Sequence, residues 1–268
     1  MGGDGAPVFA FQGPRSLSNR VASGLQADYN PGPCAGEIYA VSMLVNEIFE
    51  SIQGEGTHSG QLCTFVRFTA CNLRCVYCDT EHAFHEGDSW ERSTLVDNVA
   101  SRNIPLVCVT GGEPLLQNEI VDFLQALLEA GHRVLLETSG SLSLSAIPKD
   151  VIKIVDVKTP GAFQPGWTAD DGLSREAFNV TFHAENLATL TPNDEVKFVV
   201  TSRDDYLWAR DFMREHLLSE RVREVLFSPV HGEVDPQDLV AWMLQDRLDA
   251  RLNLQLHKYV WSPETRGV

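Results

Sequence analysis

The stretch Cys71-Asn-Leu-Arg-Cys75-Val-Tyr-Cys78-Asp-Thr80 sets three cysteines at spacings of three and two residues, directly after an apolar, β-branched run at 64–69. That run reads as a strand, and the pattern returns at 106–110, 133–137, 152–157, 195–200, 224–227 and 252–256. Helical periodicity fills several of the gaps. Ile120, Phe123, Leu124, Leu127 and Leu128 mark one face of a helix over 119–130 that Gly131 stops. Ser202 is placed to cap a helix running to about 217, and Asp235-Pro236 opens another that carries Leu239, Val240, Met243, Leu244 and Leu248. Short strands alternating with helices predict an α/β fold with a parallel sheet.

The flanks are less regular. Met43 leads into Leu-Val-Asn-Glu-Ile-Phe, a further alternating strand pattern. Residues 1–42 are rich in glycine and proline without periodicity and read as a disordered extension, the alternative being that translation starts at Met43. The segment 160–193 reads as an excursion over one end of the sheet, and its Trp167 and His183, with Trp261 and Arg266 of the tail, are candidates to shape a pocket.

At 268 residues with 43% hydrophobic and 22% charged side chains, the chain can bury a large core, which excludes a collagen-like or wholly disordered protein. Its net charge of −16 argues against nucleic acid or an anionic membrane as partner. The sequence contains neither an apolar run long enough to span a bilayer nor a basic-then-apolar leader, so the expected location is cytoplasmic.

In a reducing compartment, clustered cysteines point to metal or redox chemistry. Three thiolates on one polar loop suit a soft metal centre. Four cysteines are the usual ligands of a 4Fe–4S cluster, so three would leave one iron open to a further ligand. A structural zinc is the alternative and would need a fourth ligand, for which Cys63, His82 and His85 are near enough in sequence. Cys34 lies in the extension, and Cys108 sits inside an apolar strand, where it reads as a small buried hydrophobe.

About 30 residues beyond the cysteine loop, at the end of the next predicted strand, stands Thr110-Gly111-Gly112-Glu113-Pro114. The paired motifs resemble the signature of radical S-adenosylmethionine (SAM) enzymes. That resemblance implies a single domain over 43–268, folded as a partial, open (β/α) barrel with a parallel sheet. It also implies a cluster whose open iron is chelated by the methionyl amine and carboxylate of SAM, so that one electron releases a 5′-deoxyadenosyl radical. Glycines let backbone approach such a ligand, and Glu113 carries a charge suited to an amine.

Glu47-Ile-Phe-Glu-Ser-Ile-Gln53-Gly54-Glu55-Gly56, Arg67 ahead of the cysteines, Glu137-Thr-Ser-Gly140, Asp156-Val-Lys158-Thr-Pro160, Asp194-Glu-Val-Lys-Phe-Val199, Phe227-Ser-Pro-Val-His231 and Leu254-Gln-Leu-His-Lys258 follow in order. Together they resemble the 7-carboxy-7-deazaguanine synthase family. The resemblance implies a homodimeric enzyme of queuosine and deazapurine biosynthesis that converts 6-carboxy-5,6,7,8-tetrahydropterin to 7-carboxy-7-deazaguanine with loss of ammonia. Hydrogen abstraction at C6 starts the ring contraction, Mg2+ assists, and flavodoxin or ferredoxin supplies electrons. Carried over, Cys71, Cys75 and Cys78 hold the cluster and Thr80 the Mg2+. Ile52, Gln53, Gly54, Arg67 and Thr110 face the substrate, Arg67 through a planar fork suited to its carboxylate. Tyr77, Gly112, Glu113, Asp156, Lys158, Ser228, Pro229, Val230 and His231 contact SAM. These positions fall near the C-terminal ends of predicted strands, where ligand sites of parallel α/β folds gather. Read singly, several have plainer explanations: a turn at 53–56, a surface ion pair at Asp156 and Lys158, a loop histidine at 231.

Overall fold

The computed structural model describes residues 42–163, 182–262 and 265–268. The expectations for 1–41, with Cys34, and for Trp167 lie outside them.

Among the described residues, nine strands form one sheet in the order β3-β1-β2-β4-β5-β6-β7-β8-β9. They are β1 Ser42–Ile52, β2 Leu62–Phe68, β3 Asp88–Glu91, β4 Leu106–Gly111, β5 Arg133–Thr138, β6 Ile152–Asp156, β7 Glu195–Val200, β8 Glu224–Pro229 and β9 Arg251–Leu252. From β2 onward every pairing in that order is parallel, whereas β1 runs antiparallel to both β2 and β3. With β3 and β9 as its edges, the sheet is an open, partial (β/α) barrel.

The helices are α1 Arg92–Ala100, α2 Ile120–Glu129, α3 Arg203–Glu215, α4 Leu218–Arg221, α5 Pro236–Asp246 and α6 His257–Val260. Their ends follow the sequence signals. Ser202 Oγ accepts from the Asp205 amide at 3.3 Å, Asp235 Oδ1 accepts from the Gln237 amide at 2.8 Å, and Gly131 takes φ +89. The helix predicted to run from Ser202 to about 217 stops at Glu215, because Leu217 turns left-handed at φ 50. Among the described residues, no helix is long and apolar enough to cross a membrane.

Two departures have local causes. β3 and α1 escape the sequence reading because α1 buries only Leu95 and Val99, too few apolar positions to print a period. The strand expected at 252–256 shrinks to Arg251–Leu252, since Asn253 turns its side chain into the site and the Leu256 amide donates to the Gly54 carbonyl at 2.9 Å.

Alternation along the strands separates two cores. Val66, Phe68, Val107, Val109, Val134, Leu136, Val155, Phe198 and Phe227 belong to the large core that includes Phe123, Leu127, Tyr206 and Leu239 of the helices. The intervening residues Cys63, Phe65, Leu106, Cys108, Leu135 and Ile154 form a smaller apolar layer on the concave face. Cys108 is therefore a packed hydrophobe, as its setting in the sequence suggests. Two residues further along each strand, on that same face, the side chains become polar, and there the site begins.

Candidate active site

Arg67 on β2, Thr110 on β4, Glu137 on β5, Asp156 on β6, Lys197 on β7 and Ser228 on β8 all line one cleft of about 790 Å3. Register explains the convergence, since Arg67 pairs with Thr110, Asp156 with Lys197 and Val199 with Ser228 in successive ladders. Cys71, Cys75, Cys78 and Thr80 line the same cleft, as do Ile52, Gln53, Gly54, Tyr77, Gly112, Lys158, Pro229, Val230 and His231. Among the residues expected to hold the cluster, Mg2+, SAM or substrate, Glu113 alone does not line it.

Glu113 is fully buried. Its Oε1 accepts from the Leu115 amide at 3.1 Å and from Thr138 Oγ1 at 2.8 Å; its Oε2 accepts from the Ser139 amide at 2.9 Å and Ser139 Oγ at 2.6 Å. Four donors saturate a carboxylate, so Glu113 ties the turn after β4 to the end of β5. The neighbouring glycines are needed for contact. A Cβ on Gly112 would lie 2.2 Å from the Ala70 carbonyl oxygen, and one on Gly111 2.4 Å from that of Phe68. Absent side chains thus let this turn press against the cysteine loop, an arrangement continued by the Glu113 amide donating to the Ala70 carbonyl at 2.8 Å.

The three cysteines of the loop are free thiols. Burial pushes Cys71 up to about 12 and Cys75 up to about 11, and raises Cys78 as well, so without a metal they stay protonated at neutral pH. Among the described residues, no three His, Cys, Asp or Glu side chains converge closely enough to hold a single ion. A zinc tetrahedron would require that convergence, whereas a four-iron cluster bonds each cysteine to a different iron. Of the three residues considered for a fourth zinc ligand, Cys63 lies in the apolar layer and His85 is exposed, while His82 lines the cleft with its Nε2 3.6 Å from Glu47 Oε1.

Against the loop, with Lys158 Nζ 5.6 Å from the Tyr77 ring centre, stands a ladder of alternating charge. Lys197 Nζ lies 2.8 Å from Glu55 Oε2 and 3.2 Å from Asp156 Oδ2, and Lys158 Nζ lies 2.9 Å from the same Asp156 oxygen. Burial alone would raise both carboxylates; the ammonium groups outweigh it and hold Glu55 and Asp156 below their ordinary values. Glu55 is anchored further by Gln255 Nε2 at 2.9 Å and Asn253 Nδ2 at 3.3 Å. The segment 53–56 is therefore part of the site rather than a plain turn, and Asp156 and Lys158 are not a surface pair. His231, by contrast, is exposed on the rim.

On the remaining side, Glu137 accepts from Thr110 Oγ1 at 2.9 Å and Gln53 Nε2 at 3.2 Å. Gly54 leaves room for His257, whose Nδ1 would stand 2.2 Å from an added Cβ. Arg266 lines the cleft and pairs with Glu86 at 3.8 Å, while His183 pairs with Glu185 and, like Trp261, does not line it. Glu55, Glu137, Lys197 and His257 stand inside motifs visible in the sequence; their roles required the register. The lining is of mixed charge, with Arg67, Lys158, Lys197, Lys258 and Arg266 set among Glu47, Glu55, Asp79, Glu81, Glu137, Asp156 and Glu233.

The residues present fit a bound SAM. Tyr77 Oη and Asp156 Oδ1 are buried, line the cleft and have no hydrogen-bond partner among the described residues. Buried polar atoms of this kind call for a polar ligand.

Comparison with known proteins agrees with this geometry. Residues 65–158 match the family model described as the radical SAM superfamily. A 7-carboxy-7-deazaguanine synthase of Koribacter versatilis is 45% identical, over 84% of this chain and all of that one. Another from Chlorobaculum tepidum is 39% identical, over 84% of this chain and 96% of that one. In fold, the chain is similar to the crystal structure of QueE from Escherichia coli, with a TM-score of 0.60 at 20% identity, covering 81% of this chain and 95% of that one. The chain belongs to the 7-carboxy-7-deazaguanine synthase family of radical SAM proteins.

Proposed function

We propose that the chain converts 6-carboxy-5,6,7,8-tetrahydropterin to 7-carboxy-7-deazaguanine with loss of ammonia, in the pathway to queuosine. The observation that carries this reading is the delivery of six strand-end polar side chains to the cleft that also receives the three thiols. Cys71, Cys75 and Cys78 would hold a 4Fe–4S cluster, and Tyr77, Gly112, Asp156, Lys158 and residues 228–231 would hold SAM. Together these groups supply one-electron chemistry when bound.

The chain's own residues bind and orient. Glu47 occupies the Nε of Arg67, and the rest of the guanidinium edge is suited to receive a carboxylate in two parallel hydrogen bonds. Thr110 gives its proton to Glu137, so its lone pairs face incoming donors. Gln53 is held at both ends of its amide, by Glu137 and by the Glu55 amide, which fixes the pocket wall formed with Ile52 and Gly54. Lys197 and Lys158 keep the opposite wall ionised and dipolar.

Three finer readings complete the proposal. Thr80, 3.8 Å from Cys78 Sγ, would offer its hydroxyl to Mg2+ beside the substrate carboxylate, an ion that keeps most of its waters and needs few protein ligands. Flavodoxin or ferredoxin would reduce the cluster. Two copies would form a homodimer. The test is anaerobic reconstitution with iron and sulfide, then incubation with SAM, reductant, Mg2+ and the pterin. We expect 7-carboxy-7-deazaguanine to form and to disappear in Cys75→Ala; SAM cleavage without that product would refute the substrate assignment.

A further inference from the structure

We propose that Glu47 is a positioning residue that aims Arg67 at the substrate carboxylate, an inference resting on the reading of Arg67 given above. The first observation is a change of parity in β1. Val45 pairs with Phe68, but Glu47 pairs with Arg67, so one extra residue, Asn46, is accommodated between them. Before this bulge, Met43 and Val45 point into the helix-side core. After it, Ile48 takes over that role, while Glu47 and Phe49 line the cleft. Without the extra residue Glu47 would share the parity of Val45 and be aimed into the apolar core. The bulge re-aims a carboxylate to the site, a recurrent use of this irregularity.

The second observation is how Glu47 is used there. Its Oε1 accepts from Arg67 Nε at 2.7 Å, and the guanidinium carbon lies 5.9 Å from the centre of the Phe49 ring. Phe49 is itself stacked on Phe65, with ring centres 4.8 Å apart. Arg67 is thus gripped at Nε and set against a fixed aromatic pad, which restricts its fork before any substrate arrives. The bulge is pinned in turn, because Asn46 Nδ2 donates to the carbonyls of Glu86 at 2.8 Å and His82 at 3.4 Å.

Two roles for Glu47 make opposite predictions. A carboxylate that merely offset the charge of Arg67 would weaken binding of an anion, so its removal would lower the KM for the pterin. A positioning carboxylate would, on removal, release the fork and raise it. The experiment is steady-state kinetics of the anaerobically reconstituted full chain. We expect Glu47→Ala to raise the KM for 6-carboxytetrahydropterin about tenfold, with the KM for SAM unchanged. Glu47→Gln keeps an oxygen facing Nε and should stay within about threefold of the parent. Glu47→Asp keeps the charge but withdraws the oxygen, should resemble the alanine variant, and serves in its place if that variant folds poorly.

An unchanged or lowered pterin KM in the alanine and aspartate variants overturns the proposal, and so does an equal rise in the SAM KM. Arg67→Ala separates the two levels. If it leaves the pterin KM unchanged, the reading of Arg67 fails; if it raises the KM while the Glu47 variants do not, only the positioning role falls.

Discussion

The two walls of the cleft are held by different forces. On one side the Gly111–Gly112 turn and the cysteine loop meet backbone to backbone, and Glu113 beneath them has every lone pair filled. On the other, Glu55, Lys197, Asp156 and Lys158 hold one another by charge while facing the cleft. Contact fixes the first wall with little tolerance for added volume. Charge fixes the second, and among the described residues leaves Asp156 Oδ1, and Tyr77 Oη of the adjoining cysteine loop, without hydrogen-bond partners. The contrast suits a site in which one wall must present a cluster at a constant position and the other must answer to a polar ligand.

The most severe break in this comparison should come from Gly112→Ala. Its Cβ would meet the Ala70 carbonyl oxygen at 2.2 Å and the Cys71 Cβ at 2.8 Å, and the first of these is backbone that cannot swing aside. We expect a loss of about 4 kcal/mol or more, read by denaturant unfolding of the cofactor-free protein, together with poor cluster uptake. A variant within about 1 kcal/mol of the parent would mean that the turn is looser than the contact implies.

Next in size is Lys197→Met, which strips the central cation from two carboxylates. Removing one partner of a buried ion pair typically costs about 3–5 kcal/mol, because the remaining charge is left uncompensated. Adding Glu55→Gln to Lys197→Met should recover part of the loss; if it recovers none, packing rather than charge holds this wall. Smaller again is Glu113→Gln, which turns an amide NH2 toward buried donors. A loss of about 1–3 kcal/mol is expected by thermal unfolding of the cofactor-free protein, where a role confined to binding SAM would leave stability unchanged.

The two walls also differed in how far the sequence disclosed them. Of the contact wall the sequence shows only that a close approach occurs at Gly111-Gly112, read there as an approach to a ligand; the structure sets the glycines against the Phe68 and Ala70 backbone instead. Most strands are legible, as apolar β-branched runs placed within a few residues, with β3 missed and β9 overextended. The ladder is not, since its partners meet only through tertiary register. Glu55 reaches Lys197, 142 positions along the chain, and Gln255, 200 positions along. The sequence shows that Asn253 and Gln255 follow a short apolar run, but a two-residue strand gives no period from which to infer their facing. Glu113 is the converse case: its motif is conspicuous, yet what saturates it, Thr138 and Ser139 at the end of the next strand, is visible only after folding.

Acid should distinguish the walls with the smallest perturbation. Glu55 and Asp156 are held below their ordinary values of 4.5 and 3.8, so their contribution is complete above those values and is lost as pH falls through the depressed ones. Lys197, raised above 10.5, contributes throughout this range and loses its proton only in strong base. In Lys197→Met the depression of Glu55 loses its cation while Asp156 keeps Lys158 at 2.9 Å, and protonating the stranded Glu55 relieves its burial. The stability gap between parent and Lys197→Met should therefore narrow as pH is lowered from 7 toward 3, measured by thermal unfolding. The gap between parent and Gly112→Ala, which involves steric overlap and no titrating group, should stay constant over the same range. If both gaps narrow together, acid is loosening the whole barrel and the division into a contact wall and a charge wall fails. If only the first narrows, the ladder is electrostatic in origin, and a ligand that gives Asp156 Oδ1 a partner should act on that wall alone.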